Sequence, residues 1–190
     1  MANAIILHGL PDKHEYYSEA YPSASNSHWL PWLQKHLMIN DIKADTPEVP
    51  NIYDPKYEII VREVERFDIN SETILVGHSM GAGFWIRYLT EHPEITVNKM
   101  ILVAPWLNPD HEYDIDLFDF DIDQDLMKRV HELTVFISDD DGQAMHDSVA
   151  ILHNKLPAIT IKTFREHGHF TLKSMGTDAF PELLEVALAS

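Results

Sequence analysis

A glycine-flanked serine provides the clearest chemical signal in this chain. Residues 77–81 read Gly-His-Ser-Met-Gly, directly after the apolar run 74–76 and before a stretch with helical character. A serine at this spacing belongs to a tight strand-to-helix turn that exposes its hydroxyl, and small residues two positions before and after it avoid clashes. The pattern predicts a strained turn with Ser79 as a nucleophile.

A serine hydroxyl attacks effectively when a base takes its proton and an acid holds that base in the correct tautomer. The candidate acids follow a predicted strand at 134–137, in the loop Ser-Asp-Asp-Asp-Gly at 138–142. Asp141 is preferred because Gly142 can turn the chain directly after it. Asp140 is the alternative, and a solvated acidic turn without any catalytic acid is the third interpretation.

The candidate bases are two histidines that follow the last predicted strand, in the loop 165–170. His169 is favoured over His167 because Gly168 supplies a bend before it and Phe170 can anchor it from behind. The same two histidines could form a weak metal pair, but no third ligand stands at a firm spacing. We therefore expect neither a metal nor a cofactor.

Acyl transfer also requires two backbone N–H groups that hold the carbonyl oxygen as it becomes negative. One donor is expected from Met80, whose amide lies at the helix N-terminus. The second is assigned to Leu10, in the loop His8-Gly9-Leu10 at the end of the first predicted strand. The His8 side chain receives no role, and His78 is interpreted as a packed residue.

Short apolar runs alternate with longer amphipathic stretches, which is typical of a parallel sheet built from strand-helix units. Helices are predicted over 29–37, over 80–91, from Pro181 onward, and around a face formed by Ile59, Glu63 and Phe67. Strands, each covered on both faces, are predicted near 4–7, 42–44, 73–76, 100–103, 134–137 and 159–164. The fold class is α/β, with a mostly parallel central sheet of about six strands and helices on both faces.

Length and composition restrict the possible functions further. The chain has 190 residues, enough for one domain spanning 1–190, and its 31 acidic and 14 basic residues give a formal net charge of -17. That charge disfavours nucleic-acid and anionic-membrane partners. The absence of cysteine excludes thiol nucleophiles, disulfides and cysteine-ligated metals. No apolar stretch reaches the ~18 residues of a membrane span, and the first apolar run is too short for a signal peptide, so a cytoplasmic location is expected.

One acidic segment departs from the alternation of strands and helices. Residues 110–125 contain eight acidic side chains in sixteen, interleaved with apolar ones. The favoured interpretation is a solvated excursion whose apolar residues rest on the body of the domain. The alternative is a flap, over 107–125, that covers a binding cleft.

Together these motifs resemble the α/β-hydrolase fold, and most of all the small serine hydrolases related to retinoblastoma-binding protein nine. The resemblance covers nearly the whole chain and rests on the motifs at 8–9, 29–32, 77–79, 87–88, 138–141 and 168–170. It implies a compact three-layer fold with Ser79 as nucleophile, Asp141 as acid and His169 as base. The family's namesake partner is bound through an L-x-C-x-E motif, which a chain without cysteine cannot contain. No binding to a retinoblastoma-type pocket is therefore expected.

The sequence thus predicts a serine hydrolase that cleaves a small acyl substrate, an ester, thioester or amide, through an acyl-enzyme intermediate. The alternative is a protein of the same fold that binds or scaffolds and turns over little substrate, because fold alone does not imply function. An intact triad argues against that alternative.

Overall fold

The computed structural model describes residues 2–113 and 115–189, and these form a central sheet of six strands. The strands are β1 Asn3–Leu7, β2 Lys43–Asp45, β3 Thr73–His78, β4 Val97–Val103, β5 Val130–Ser138 and β6 Thr160–Phe164. Their order in the sheet is β2-β1-β3-β4-β5-β6, and every pair of neighbours is parallel. The predicted parallel sheet of about six strands is confirmed.

Helices cover both faces of this sheet. They are α1 Lys13–Tyr17, α2 Leu30–Ile39, α3 Tyr57–Val64, α4 Met80–Glu91, α5 Gln143–Lys155, α6 Leu172–Met175 and α7 Pro181–Leu188. Side chains alternate along each strand, so that Ala4 and Ile6 pack in one core with α2 and α7. Ile5 and Leu7 pack in the opposite core with α3, α4 and α5. The result is the predicted three-layer α/β architecture.

One edge of the sheet differs from the prediction. The sequence predicts strands that are covered on both faces, and the central strands agree, but β6 is exposed along most of its length. As the last strand in the order it has a single neighbouring strand, β5, and solvent reaches both of its faces. The prediction of a buried strand was therefore wrong for β6.

The buried face of α3 also differs from the prediction. Its buried residues are Ile60 and Val64, and the helix ends before Phe67. Ile60 and Val64 are four positions apart and therefore share one face of the helix. The predicted face of Ile59 and Glu63 is only partly buried, because the Glu63 carboxylate stays near the surface, where it pairs with Arg66 at 2.6 Å.

Helices α1, α5 and α6 are absent from the prediction, whereas α4 has the predicted bounds. Few residues of α5 are buried, so its apolar periodicity is weak. The buried Ser148 hydroxyl donates to the Ala144 carbonyl at 2.7 Å and accepts the Leu107 amide at 3.0 Å, which ties α5 to the chain that follows β4. None of the helices in the described part of the chain is long and apolar enough to cross a membrane.

The acidic segment 110–125 rests its apolar side chains on the body of the domain. Leu117 is fully buried, and the ring of Phe118 meets that of Trp106 edge to face, with 5.2 Å between the centroids. Short 3₁₀ turns lie within and directly after the segment, at Asp116–Phe118 and Leu126–Lys128. Asp114 lies outside the described residues.

Candidate active site

Ser79 occupies a strained turn between β3 and α4. Its backbone angles are φ 54° and ψ -116°, a region that residues other than glycine rarely adopt. The residues at and after the end of β4 hold this turn. The Ser79 amide donates to the Val103 carbonyl at 2.9 Å, and the Ser79 carbonyl accepts from the Trp106 amide at 3.2 Å. The serine is therefore held at the carboxyl edge of the sheet, beside the end of β4.

Close packing explains the two glycines that flank the serine. A Cβ atom on Gly77 would lie 2.5 Å from the backbone of Ala82, and one on Gly81 would lie 2.5 Å from the carbonyl oxygen of His8. Any side chain at either position would force the backbone to move. The sequence motif therefore reflects the sterics of the turn at Gly77 and its packing against the end of β1 at Gly81.

His169 and Asp141 are paired in the structure. The Nδ1 atom of His169 lies 3.1 Å from each carboxylate oxygen of Asp141, whose side chain is 2% exposed, compared with 32% for His169. A carboxylate accepts hydrogen bonds, so Nδ1 carries the proton and Nε2 is left as an acceptor. This is the protonation pattern that a general base requires.

Asp140, the alternative acid, binds a different part of the same loop. Its Oδ1 atom accepts hydrogen bonds from the Ser138 hydroxyl at 2.6 Å and from the Gly168 amide at 2.8 Å. The Ser138 hydroxyl, and then the Gly168 amide, hold the pKa of Asp140 below its ordinary value. Of these two acids, it is Asp141 that the structure brings to His169.

His167, the alternative base, lies apart from this pair. Its Nδ1 atom donates to the Arg165 carbonyl at 2.7 Å, and its ring packs against Phe164 and Phe170. Within residues 2–113 and 115–189, no group of three or more histidine, aspartate or glutamate side chains is placed to hold a metal ion. The structure therefore joins His167 to neither Asp141 nor a metal-ligand cluster.

The residues on both sides of His169 have a left-handed backbone conformation. Gly168 has φ 51° and Phe170 has φ 52°, both in the left-handed region. Such a conformation is unfavourable for a bulky residue such as phenylalanine and persists only where packing enforces it. Phe170 is fully buried and its ring stacks on Phe180 at 5.5 Å between centroids. The aromatic anchor thus fixes the position of His169, as the sequence predicts.

His78 also positions His169, a role that the sequence did not reveal. Its Nε2 atom donates to the carbonyl oxygen of His169 at 2.8 Å, and the His78 side chain is buried. Burial, and then the neighbouring His169, hold the pKa of His78 well below its ordinary value, so that the ring stays neutral. The only sequence signal was an imidazole directly before Ser79.

His8 fixes the loop at the end of β1. Its Nδ1 atom donates to the Gly9 carbonyl at 2.8 Å and its Nε2 atom accepts from the Val49 amide at 3.1 Å. Burial lowers the pKa of His8 and keeps it neutral, which this pair of bonds requires. Because C=O and N–H point in opposite directions across a planar trans peptide, the Leu10 amide points away from the His8 ring.

The two predicted oxyanion donors lie on either side of the serine. Met80 begins α4, where the first amides of a helix have no partner inside the helix. Gly9 packs against the serine, since a Cβ atom built there would lie 3.2 Å from Ser79 Cβ. Neither the Met80 nor the Leu10 amide donates to another described residue. Leu10 lines the cavity around Ser79, whereas Met80 directly follows Ser79 in the chain and its side chain is buried.

Ser79 and His169 line one cavity of about 940 Å³. Leu10 and residues 21–24 form part of its wall, together with Leu172 and Lys173. Neither the Ser79 hydroxyl nor Nε2 of His169 is hydrogen bonded to another described residue. Ser79, His169 and Leu10 thus border a space large enough for a small molecule.

The acidic segment lies away from this cavity. None of its described residues, nor any at 107–109, lines the space around Ser79. Several of its residues, among them Phe118, Phe120 and Ile122, instead line a separate cavity of about 160 Å³ together with Ile151 of α5. This placement favours the solvated excursion over the flap.

Comparison with known proteins identifies the family. The model of the serine hydrolase family matches residues 19–188. The YdeN protein of Bacillus subtilis (strain 168) is 26% identical over 184 residues, which cover 92% of this chain and 94% of YdeN.

Solved structures share the fold. The crystal structure of the B. subtilis ydeN gene product has a TM-score of 0.78 at 22% identity and covers 98% of this chain and 97% of that one. The esterase domain of a Rhodothermus marinus protein has a TM-score of 0.66 at 17% identity, covering 98% and 84%. With the family match spanning most of a chain that carries its serine on a strained strand-to-helix turn, the protein belongs to the serine hydrolase family, within the α/β-hydrolase superfamily, and is a hydrolase.

Proposed function

We propose that this hydrolase cleaves esters by acyl transfer, with Ser79 as nucleophile, His169 as general base and Asp141 as the acid that orients it. One observation carries the proposal. The buried carboxylate of Asp141 holds Nδ1 of His169, which leaves a basic Nε2 in the cavity that Ser79 lines. A base of defined tautomer and a serine on a strained turn are the parts that acyl transfer requires.

In the first half-reaction, Nε2 of His169 takes the hydroxyl proton while Ser79 Oγ bonds to the substrate carbonyl carbon. Asp141 stabilises the imidazolium that forms. The imidazolium then gives this proton to the leaving-group oxygen, the ester C–O bond breaks, and an acyl-enzyme remains. A water molecule repeats the sequence on the acyl-enzyme and releases the acid.

The carbonyl oxygen becomes negative in each step and needs preorganised donors. The unpartnered amides of Met80 and Leu10 supply them in this proposal. The His8 ring holds the Gly9 carbonyl and so fixes the direction of the Leu10 N–H. Donors that are held before substrate binds need no reorganisation during the reaction.

The cavity favours a neutral ester over an anionic one. Two carboxylates, Glu15 and Glu48, line it, with Lys173 as the basic side chain there. Tyr16 and Tyr21 add aromatic surface that suits an uncharged group. An anionic substrate would meet repulsion from the carboxylates, which water screens only in part inside a cleft.

Labelling with a fluorophosphonate reagent, combined with hydrolysis of p-nitrophenyl butyrate, tests the proposal. The wild type should react with the reagent and hydrolyse the ester, and Ser79→Ala should remove the label and at least ~10³-fold of the activity. Ser23→Ala is the matched control, because Ser23 lines the same cavity and its replacement should leave the label in place. A folded wild type that neither reacts nor hydrolyses short esters would instead support a binding protein of the same fold.

A further inference from the structure

His28 lines the cavity around Ser79 and takes no part in the mechanism above. It precedes α2 and has φ 58°, a left-handed conformation that is uncommon outside glycine. Its ring meets the ring of His78 nearly edge to face, with 5.6 Å between the centroids. His78 in turn binds the backbone of His169, so His28 stands beside the elements that hold the base.

Contacts determine which nitrogen of His28 carries the proton. The Nδ1 atom accepts a hydrogen bond from the Leu172 amide at 3.2 Å. A nitrogen that accepts has no proton, so the neutral ring carries its proton on Nε2. Burial, and then the neighbouring His169, lower the pKa of His28 and favour this neutral form. His28 is therefore a donor at Nε2 and not a second base.

The Nε2–H group of His28 donates to no described residue, although the side chain is half-buried. A donor in this position is available to a molecule that enters the cavity. A bound ligand that covered it without offering an acceptor would leave a polar group unpaired, which is unfavourable. The site thus favours a ligand that places an acceptor atom next to Nε2 of His28.

We propose that His28 is a specificity-determining residue, whose Nε2–H group binds an ether, hydroxyl or carbonyl oxygen in the leaving-group portion of the ester. The leaving-group side follows from position, since His169 must reach the leaving-group oxygen and the ring of His78 packs against both histidines, 5.6 Å from that of His28 and 5.1 Å from that of His169 between centroids. The inference rests on the proposed function. It narrows the substrate class to neutral esters of oxygenated alcohols.

Three esters of equal size test the proposal. Butyl butyrate is the reference, 2-methoxyethyl butyrate carries an additional ether oxygen in the leaving group, and butyl methoxyacetate carries it in the acyl group. The wild type should prefer 2-methoxyethyl butyrate over butyl butyrate by about 5- to 10-fold in kcat/KM, the effect of one neutral hydrogen bond.

His28→Asn removes the donor at the Nε2 position, which the shorter asparagine amide does not reach, while keeping the loop. Asparagine tolerates a positive φ, and its Oδ1 atom can take the place of Nδ1 as acceptor for the Leu172 amide. This variant should lose the 5- to 10-fold preference. His28→Gln, whose amide nitrogen reaches about as far as Nε2, should keep part of it.

Several outcomes would overturn the inference. His28→Asn with the wild-type preference would exclude a bond to the leaving group, and so would an equal loss of kcat/KM on both butyrates. A change confined to butyl methoxyacetate would place the acceptor on the acyl side. A wild type that hydrolyses butyl butyrate without any preference contradicts the role of His28 alone, whereas one that hydrolyses none of the esters contradicts the proposed function.

Discussion

Two stretches of this chain are rich in aspartate, and the structure uses them differently. At 139–141 each carboxylate binds the loop after β6: Asp139 accepts the Glu166 amide at 3.1 Å, Asp140 accepts the Gly168 amide at 2.8 Å, and Asp141 pairs with His169. Among the described residues of the segment 110–125 the ion pairs are local. Asp123 meets Arg129 at 2.6 Å and Asp125 meets Lys128 at 2.9 Å.

The position of each stretch relative to the strand ends explains this difference, since both stretches are rich in acidic residues. Ser138 and Phe164 are partners at the ends of the parallel strands β5 and β6, so the residues that follow each strand emerge side by side. The Asp139 amide continues this pairing by donating to the Phe164 carbonyl at 2.9 Å. The acidic segment lies in the middle of the connection from β4 to β5, and its described residues continue no strand pairing. A short acidic loop at a strand end is therefore a better indicator of a site than a longer acidic segment.

The largest effect that separates the two stretches is expected from Asp141→Asn. A neutral amide can pair with the wrong tautomer of His169 and cannot stabilise the imidazolium, so kcat for p-nitrophenyl butyrate should fall by about 10³- to 10⁴-fold. Steady-state kinetics on protein with a native circular dichroism spectrum measure this. Near-normal turnover would remove Asp141 from the mechanism.

Asp140→Asn should have a smaller effect on rate, at most about 10-fold, because Asp140 binds the Gly168 amide and not the imidazole. It should also change how the free energy of unfolding depends on pH in acidic solution. Because folding lowers the pKa of Asp140 from its ordinary value of 3.8, the ionised carboxylate stabilises the folded state above that value. This stabilisation is lost as pH falls through the lower pKa of the folded protein.

Urea unfolding between pH 2 and pH 6 provides the measurement. The free energy of unfolding should decrease less steeply below about pH 4 in the variant than in the wild type. Identical slopes would show that the Ser138 and Gly168 bonds to Asp140 contribute nothing to folding. A rate loss as large as that of Asp141→Asn would transfer the role of the acid to Asp140.

A weaker effect is expected from a carboxylate in the cavity. Glu48→Gln retains an acceptor for the Ser25 amide, which Glu48 now binds at 2.8 Å, but removes the charge. The KM of an anionic ester, p-nitrophenyl hemisuccinate, should decrease about 2- to 4-fold relative to that of p-nitrophenyl butyrate at low salt. The difference should shrink as ionic strength rises. If the ratio of the two KM values changes with neither the mutation nor the salt concentration, Glu48 does not face the substrate.

The smallest effect is expected from the acidic segment itself. Replacing Asp116, Asp119 and Asp121 by asparagine should change the same ratio of KM values by less than about 2-fold, since these exposed residues do not line the cavity and salt screens the interactions of exposed charges. Asp123 is kept because it binds Arg129. A clear change at low salt would restore the interpretation of this segment as a flap over the cleft.

The sequence alone was sufficient where the controlling physics is local. The turn at Ser79 carries a glycine spacing that can be recognised in the sequence; the contacts that exclude a side chain at Gly77 are local, whereas those at Gly81 come from the distant residues Leu7 and His8. The end of α4 follows from Pro93, which excludes the preceding residue from the helical region. Apolar runs marked the central strands because these are buried on both faces. The same logic failed for β6, because being an edge strand is a property of the whole sheet.

The tertiary structure decided what depends on contacts between distant parts of the chain. The sequence offered both Asp140 and Asp141, and the alignment of β5 with β6 determines which carboxylate meets His169. The bond from His78 to the backbone of His169 spans 91 positions, and the one between His28 and Leu172 spans 144. No local pattern encodes such contacts, because they arise only when the sheet brings the ends of separate strands to one edge.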